Sequence, residues 1–207
     1  MIKMARMTKS FIKRTVGMVG DKPRIYNVDR GTYLLGYAQV NQMATTSFSR
    51  IKVNKGFLFC EASEVTEGEL IQDRADNKKY FLMSAKMEML NGEAVYIDCA
   101  LYYCDATATI ERWTDGARDT FGRVVDPTPQ VLFTDVPIVT NPQTYDTLEQ
   151  QDRTIAHNKV RVFVQAKLGV KESDRITSSN GDTYKILSID KVSWPGVWTC
   201  YVDVDDR

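Results

Sequence analysis

YFLMSAKMEMLNGEAVYIDCALYY, residues 80–103, decides the fold class. Two runs rich in aliphatic and aromatic residues flank Asn91-Gly92, a pair that supplies the positive φ a tight hairpin turn requires. The stretch predicts two antiparallel strands, Tyr80–Leu90 and Ala94–Tyr103. Outward from it the texture continues as short β-branched and aromatic runs bounded by Gly, Asn, Asp and Pro. The further expected strands are Tyr33–Val40, Phe48–Val53, Gly56–Ala62, Val131–Thr140, Lys159–Lys167, Tyr184–Val192 and Val197–Val204. In Val160–Lys167 the even positions are apolar, the period of a half-buried strand. In Tyr184–Val192, Ile186 falls on one parity and Leu187 and Ile189 on the other, which suggests a bulge. Turns are also expected at Asn180-Gly181-Asp182 and Trp194-Pro195-Gly196. The fold class is mainly β: two small antiparallel β-barrel or sandwich units with an N-terminal arm or short helix.

Four segments follow. Residues 1–30 form a basic N-terminal arm, with Lys3, Arg6, Lys9, Lys13, Arg14, Lys22, Arg24 and Arg30 against Asp21 and Asp29. A short amphipathic helix over 2–16 would place Met4, Met7, Phe11 and Ile12 loosely on one side before Gly17 and Gly20 stop it. The leading reading is an arm that docks on another chain; a solvated tail and a contact with nucleic acid or an anionic surface are the others. Residues 31–105 form a first β-rich domain. Residues 106–151 read as an irregular connector interrupted by prolines, with one edge strand and a helical turn near 145–151. Residues 152–207 form a second β-barrel-like domain.

Composition narrows the function classes. Lys plus Arg and Asp plus Glu balance at 27 each within 207 residues, so the basic arm is hidden in a neutral total, and a strongly basic nucleic-acid binder is not expected. No apolar run is long enough to span a membrane, and basic residues break up the N-terminus, so neither a membrane partner nor Sec export is expected. Cys60, Cys99, Cys104 and Cys200 are widely spaced in strand-like surroundings and read as reduced core thiols. The single histidine, His157, excludes a histidine-rich zinc site. No P-loop, GxSxG elbow, GxGxxG turn, HExxH or EF-hand spacing occurs. No catalytic residue, metal site or cofactor is therefore expected, and the chain reads as a non-enzyme. The acidic groups Glu61, Glu64, Glu67 and Glu69, and Asp203, Asp205 and Asp206, have the chemistry to gather a hard cation, but a solvated loop and a chain end explain them more simply. Trp113, Trp194 and Trp198 are candidate interface residues, together with Lys3, Arg6, Lys9, Phe11, Lys13 and Arg14.

Sliding the chain on itself finds an ungapped offset of 104 residues. Residues 54–98 then overlie 158–202 with seven identities: Asn54/Asn158, Lys55/Lys159, Phe59/Phe163, Ala62/Ala166, Tyr80/Tyr184, Ser84/Ser188 and Gly92/Gly196. A duplication and a chance agreement between β-rich halves weigh equally on this count.

The C-terminal stretch Asp174-Arg175-Ile176, the turn containing Gly181, and Tyr184-x-Ile186-x-x-Ile189 resemble the head–tail joining or head-closure proteins of tailed bacteriophages. The likeness covers about residues 158–207. The N-terminal copy, with Leu70-Ile71-Gln72-Asp73-Arg74, shows no counterpart of the Asp-Arg-Ile order. The resemblance implies a small β-barrel with Ile176, Tyr184 and Ile186 facing its core. It also implies a ring-forming neck or tail adaptor around the DNA channel, in rings of about six or twelve identical subunits. Neighbouring neck or tail proteins would be its partners, DNA would pass the lumen without sequence readout, and the protein would be assembled in the host cytoplasm and reside in the virion. A tail-terminator or baseplate protein fits the same barrel. The alternative of another class is a carbohydrate- or nucleic-acid-binding module using the Trp194/Trp198 hairpin.

Overall fold

The computed structural model describes residues 25–34, 36–39, 53–58, 64–74, 76–90, 93–113, 120–121, 128–142 and 160–205. The arm residues Lys3, Arg6, Lys9, Phe11, Lys13 and Arg14, Asn91-Gly92, the 145–151 turn and His157 lie outside them. Thirteen strands make up most of the described chain: β1 (Ile25–Asn27), β2 (Thr32–Leu34), β3 (Gly36–Gln39), β4 (Val53–Leu58), β5 (Leu70–Asp73), β6 (Lys78–Leu90), β7 (Glu93–Tyr103), β8 (Ala106–Trp113), β9 (Pro129–Pro142), β10 (Val160–Gln165), β11 (Arg175–Ser178), β12 (Thr183–Asp190) and β13 (Val197–Val204). Two compact units result, β1–β7 with the segment Trp194–Val197 in the first, and Asp105–Ser193 with Trp198 onward in the second.

In the second unit six strands close a barrel in the order β10-β13-β12-β11-β8-β9. Alternation fills it: Ala106, Ala108 and Ile110 of β8, Ile176 of β11, Ile186 of β12 and Cys200 and Val202 of β13 are all buried, around Val162 and Val164 of β10. Small alanines beside branched residues suit the narrow interior of a six-stranded barrel. The bulge expected in β12 is present, with the register shifting between Ile186 and Ser188, so Leu187 is set outward and exposed.

The first unit is a seven-stranded antiparallel sheet in the order β2-β1-β5-β6-β7-β4-β3. Its two outermost members, β2 and β3, are successive in the chain with one residue between them. In the barrel the single strand β9 takes both places, pairing β8 through Pro129–Ile138 and β10 through Val139–Pro142. The cyclic order of strands is therefore the same in both units.

The hydrogen bonds repeat as well. Gly68 N donates to Leu82 O (2.7 Å), Leu82 N to Glu69 O (3.0 Å), Glu69 N to Thr66 O (3.2 Å) and Cys104 N to Lys79 O (2.9 Å). The second unit has Ser173 N to Ile186 O (2.8 Å), Ile186 N to Asp174 O (2.9 Å), Asp174 N to Lys171 O (3.2 Å) and Asp205 N to Thr183 O (3.0 Å). Gly68 and Ser173 share positive φ, 90° and 71°. The bulge recurs between Leu82 and Ser84. Both halves are thus built on one plan, and the uniform offset of 104 is corrected. It holds for β6 and β12, whereas the loop and strand before them are shifted by one more residue, so Val65-x-Glu67-x-x-x-Ile71 overlies Val170-x-Glu172-x-x-x-Ile176. The counterpart of Asp174-Arg175-Ile176 is Glu69-Leu70-Ile71, which an ungapped alignment conceals.

Two boundaries differ from expectation. The stretch 106–151 is no mere connector, because β8 and β9 supply two of the six barrel strands, and the second unit begins at Asp105. Proline at 137 and 142, positive φ at Asp135 (54°) and register shifts in the β8–β9 ladder break the alternation that marks a strand. The assigned arm of residues 1–30 also ends too late, since Ile25–Asn27 already pairs with β5. Three residues are too few to show a period.

Two glycines carry the close packing of the first unit. A Cβ on Gly68 would lie 2.4 Å from the Gly196 Cα, and one on Gly196 would lie 2.3 Å from the Glu67 O; both residues have positive φ. Gly169 and Gly181 also have positive φ, but nothing lies within 4 Å of an added Cβ. Gly68→Ala and Gly196→Ala are each expected to destabilise by about 2–4 kcal/mol, against about 1 kcal/mol for Gly169→Ala and Gly181→Ala. Urea denaturation of the four variants measures the contrast, and equal losses would show that the packing contact contributes nothing.

Candidate functional site

The three residues of the Asp-Arg-Ile motif do three different jobs. Asp174, 1% exposed, turns inward just before β11. Its carboxylate accepts from Arg112 Nε and Nη2 (2.8 Å each) and from the Lys171 amide (2.7 Å). This fork of two parallel bonds is the strong form of a guanidinium–carboxylate pair, and the bond to Asp174 raises the pKa of Arg112. Arg175 points the other way. Its Nε lies 3.0 Å from Asp205 Oδ2, its Nη1 3.9 Å from Glu111 Oε2, and its guanidinium 5.5 Å from the centre of the Trp113 ring. Ile176 is fully buried in the barrel. Tyr184 and Ile189 pack on the same core beside buried Ile186, and Gly181 (φ 92°) makes the turn between β11 and β12. All seven motif residues therefore lie on β11, on β12 or in the turns that flank β11.

A second latch stands at the matching place in the first unit. Glu69 accepts from Arg30 Nε (2.5 Å), Asn27 Nδ2 (2.7 Å) and the Thr66 amide (2.9 Å). In both latches a carboxylate at the start of a strand holds the amide three residues earlier and an arginine from the end of the first strand or the turn after it. Arg112 and Glu111 were missed from the sequence, and Arg30 was read only as part of the basic arm. The Val-x-Glu-x-x-x-Ile match, once a one-residue gap is allowed, pairs the carboxylates Glu69 and Asp174, but no local spacing marks their arginines.

The three tryptophans have different neighbours. Trp113 belongs to the Arg175 cluster, Trp194 meets Tyr102 edge-on at 6.0 Å between ring centres, and Trp198 is half-buried on the barrel core beneath the Lys191 ammonium, 4.5 Å from its centre. In the first unit Arg74 lies 4.8 Å and 5.3 Å from the ring centres of Tyr26 and Tyr33. The acidic loop is spent on structure: Glu69 in its latch, and Glu67 Oε1 accepting from the Ala85 amide at 3.1 Å. Asp205 is held by Arg175. Among the described residues no three His, Cys, Asp or Glu side chains converge as a metal site, and no helix is long and apolar enough to cross a membrane. Cys99, Cys104 and Cys200 are buried thiols; Cys60 lies outside the described residues.

Compared with protein-family models, curated proteins and solved structures, the chain matches none at significant similarity.

Two predictions test the corner. Asp174→Ala, which strands Arg112 beside the barrel, is expected to cost about 3 kcal/mol, near the low end for a broken buried pair because Arg112 is partly solvated. Arg175→Ala is expected to cost about 1 kcal/mol, and exposed Lys86→Ala next to nothing. Chemical denaturation ranks the three, and the reverse order would refute the inward role of Asp174. The second prediction concerns alkaline pH. Burial pushes the Cys200 thiol up from 9.0 to about 12, and burial also raises Tyr80, Tyr102 and Tyr184. A raised folded-state pKa stabilises fully below the unfolded value and is lost as pH climbs toward the folded one. Stability should therefore fall above pH 9, with Cys200 contributing about 1.4 kcal/mol per pH unit. Cys200→Ala should flatten that slope in urea titrations between pH 8.5 and pH 11 (about the thiol range); an unchanged slope would show that the thiol is not responsible.

Proposed function

We propose that this chain is a non-enzymatic structural adaptor of a tailed-phage virion, closing into a ring at the head–tail interface around the DNA channel. The observation that carries the reading is the barrel corner: Asp174-Arg175-Ile176 opens β11, a glycine turn follows, and Tyr184-x-Ile186 continues into β12 of a small closed barrel. This is the context in which the resemblance places that motif. The doubled plan adds support, since two compact units supply two different surfaces per subunit. A ring requires a heterologous interface, one patch meeting a different patch on the next copy. Local charge rather than a high net charge would serve a DNA-facing lumen, where contacts act on phosphates without reading bases. Identical subunits and adjoining neck or tail proteins are then the partners, and the assembled virion the location. A tail-terminator or baseplate ring remains the nearest variant of the same reading.

Light scattering coupled to size exclusion, followed by negative-stain imaging, tests it. The expected result is a closed ring of about six or twelve subunits, or decoration of one end of phage heads or tails. A strict monomer that binds glycans or single-stranded DNA through Trp194 or Trp198, and never joins virion components, would overturn it in favour of a binding module.

A further inference from the structure

The β6–β7 hairpin reaches beyond its counterpart. β6 and β7 have 13 and 11 residues, whereas β12 and β13 have 8 each. β5 pairs with β6 only through Lys78–Phe81. Beyond that, Leu82 is bonded to the loop before β5, and the Ala85 amide is met by the Glu67 side chain. By the period-two geometry of a strand, the Met87 amide points along this same edge, where no strand pairs with it among the described residues. Beside the edge lies an open groove of about 510 Å³, walled by Val65, Ala85, Met87 and Ile97, by Pro195 of the segment counted with this unit, and by Glu67. Among the described residues no basic side chain lines it.

An apolar groove along an open strand edge is a docking template for an extended segment, and the one charge in its wall among the described residues, Glu67, is negative. The 24 residues before β1 have the complementary chemistry: Lys3, Arg6, Lys9, Lys13, Arg14, Lys22 and Arg24 against Asp21 alone, with Met4, Met7, Phe11 and Ile12 among them. Ile25 pairs with Asp73 and Asn27 with Ile71, and Asn27 Nδ2 reaches Glu64 O at 3.5 Å, so the first residue of β1 stands at the end of β5 away from Glu64 and Glu67, which favours a neighbour's arm over the chain's own.

We infer that the basic, apolar arm of one copy docks in the groove between Glu67 and the edge of β6 past Ala85 on the next copy, linking subunits in series. This rests on the ring-forming reading and names its contact.

The test uses the full chain with the photo-crosslinker benzoylphenylalanine in place of Phe11, mixed from isotopically heavy and light protein. Crosslinks to peptides within residues 85–97 carrying mixed labels are expected, and Glu67→Gln, which removes the charge but keeps a carbonyl for the Ala85 amide, should lower their yield severalfold. Met87→Asp should abolish them, while raised salt should weaken them as it screens the Glu67 attraction. Ring-sized particles whose crosslinks fall elsewhere would overturn this contact and leave the ring standing. Crosslinks to 85–97 confined to single-label pairs would overturn docking between copies. A monomer at every soluble concentration with no mixed-label product would overturn both the contact and the ring.

Discussion

Everything in the barrel corner depends on one buried carboxylate. Asp174 is nearly sealed from water, and a charge so placed is tolerated only when its oxygens are satisfied. Three donors satisfy it, two from Arg112 and one from the Lys171 amide. Meeting them fixes the loop from Lys171 to Asp174 and puts Ser173 at positive φ. It also brings Ser173 N and Asp174 O to the two backbone groups of Ile186. With Ile186 held on both sides, the next residue, Leu187, is the one left over, and the bulge forms there. A bulged strand bends and twists more strongly than a regular one, which is the curvature a closed six-stranded barrel needs.

The first unit solves the same problem with a longer side chain. Glu69 replaces Asp174, Arg30 replaces Arg112, and Asn27 adds a third donor group. Gly68 takes the positive φ that Ser173 carries, and glycine is required there on a second ground, the approach of Gly196. The thiols mark a further change in length. Ala85 faces Cys99 and Ile189 faces Cys200; β6 and β12 differ by 104 residues at this point, but the two cysteines by 101. Three residues of hairpin register separate the units.

The hairpin at 80–103 and the strands at 131–140, 184–192 and 197–204 were legible because each is long enough to show a period or carries a turn dipeptide. The bulge at Leu187 was legible from a parity change alone. The three- and four-residue strands β1, β2, β3 and β5 were poorly legible, since so short a run shows no alternation and their pairing is decided by neighbours distant in the chain. β8 was not read as a strand and β9 only as an edge strand of a connector, because prolines and two shifts of register break their pattern. Of the corner, Asp174, Ile176, Tyr184 and Ile186 were visible as a motif, but the partners Arg112 and Glu111 lie more than sixty residues earlier in the chain. A salt bridge assembled by the fold leaves no local spacing to read.

Comparing the two units separates what the plan demands from what each copy adds. The latch, the bulge and the buried cross-strand cysteines occur in both, so they belong to the plan the two units share. Three features belong to the first unit alone: the extended β6–β7 hairpin, the basic residues that precede β1, and the Arg74 guanidinium resting on Tyr26 and Tyr33. None of them is needed to build a barrel, because the second unit closes without them. Strand edges left open are usually shortened, charged or covered, yet here the edge past Ala85 is lengthened and lined with methionine, a side chain that adapts to irregular surfaces. Another segment covering such an edge would remove its apolar surface from water. The part of the first unit that departs from the shared plan is therefore where the proposed contact is placed.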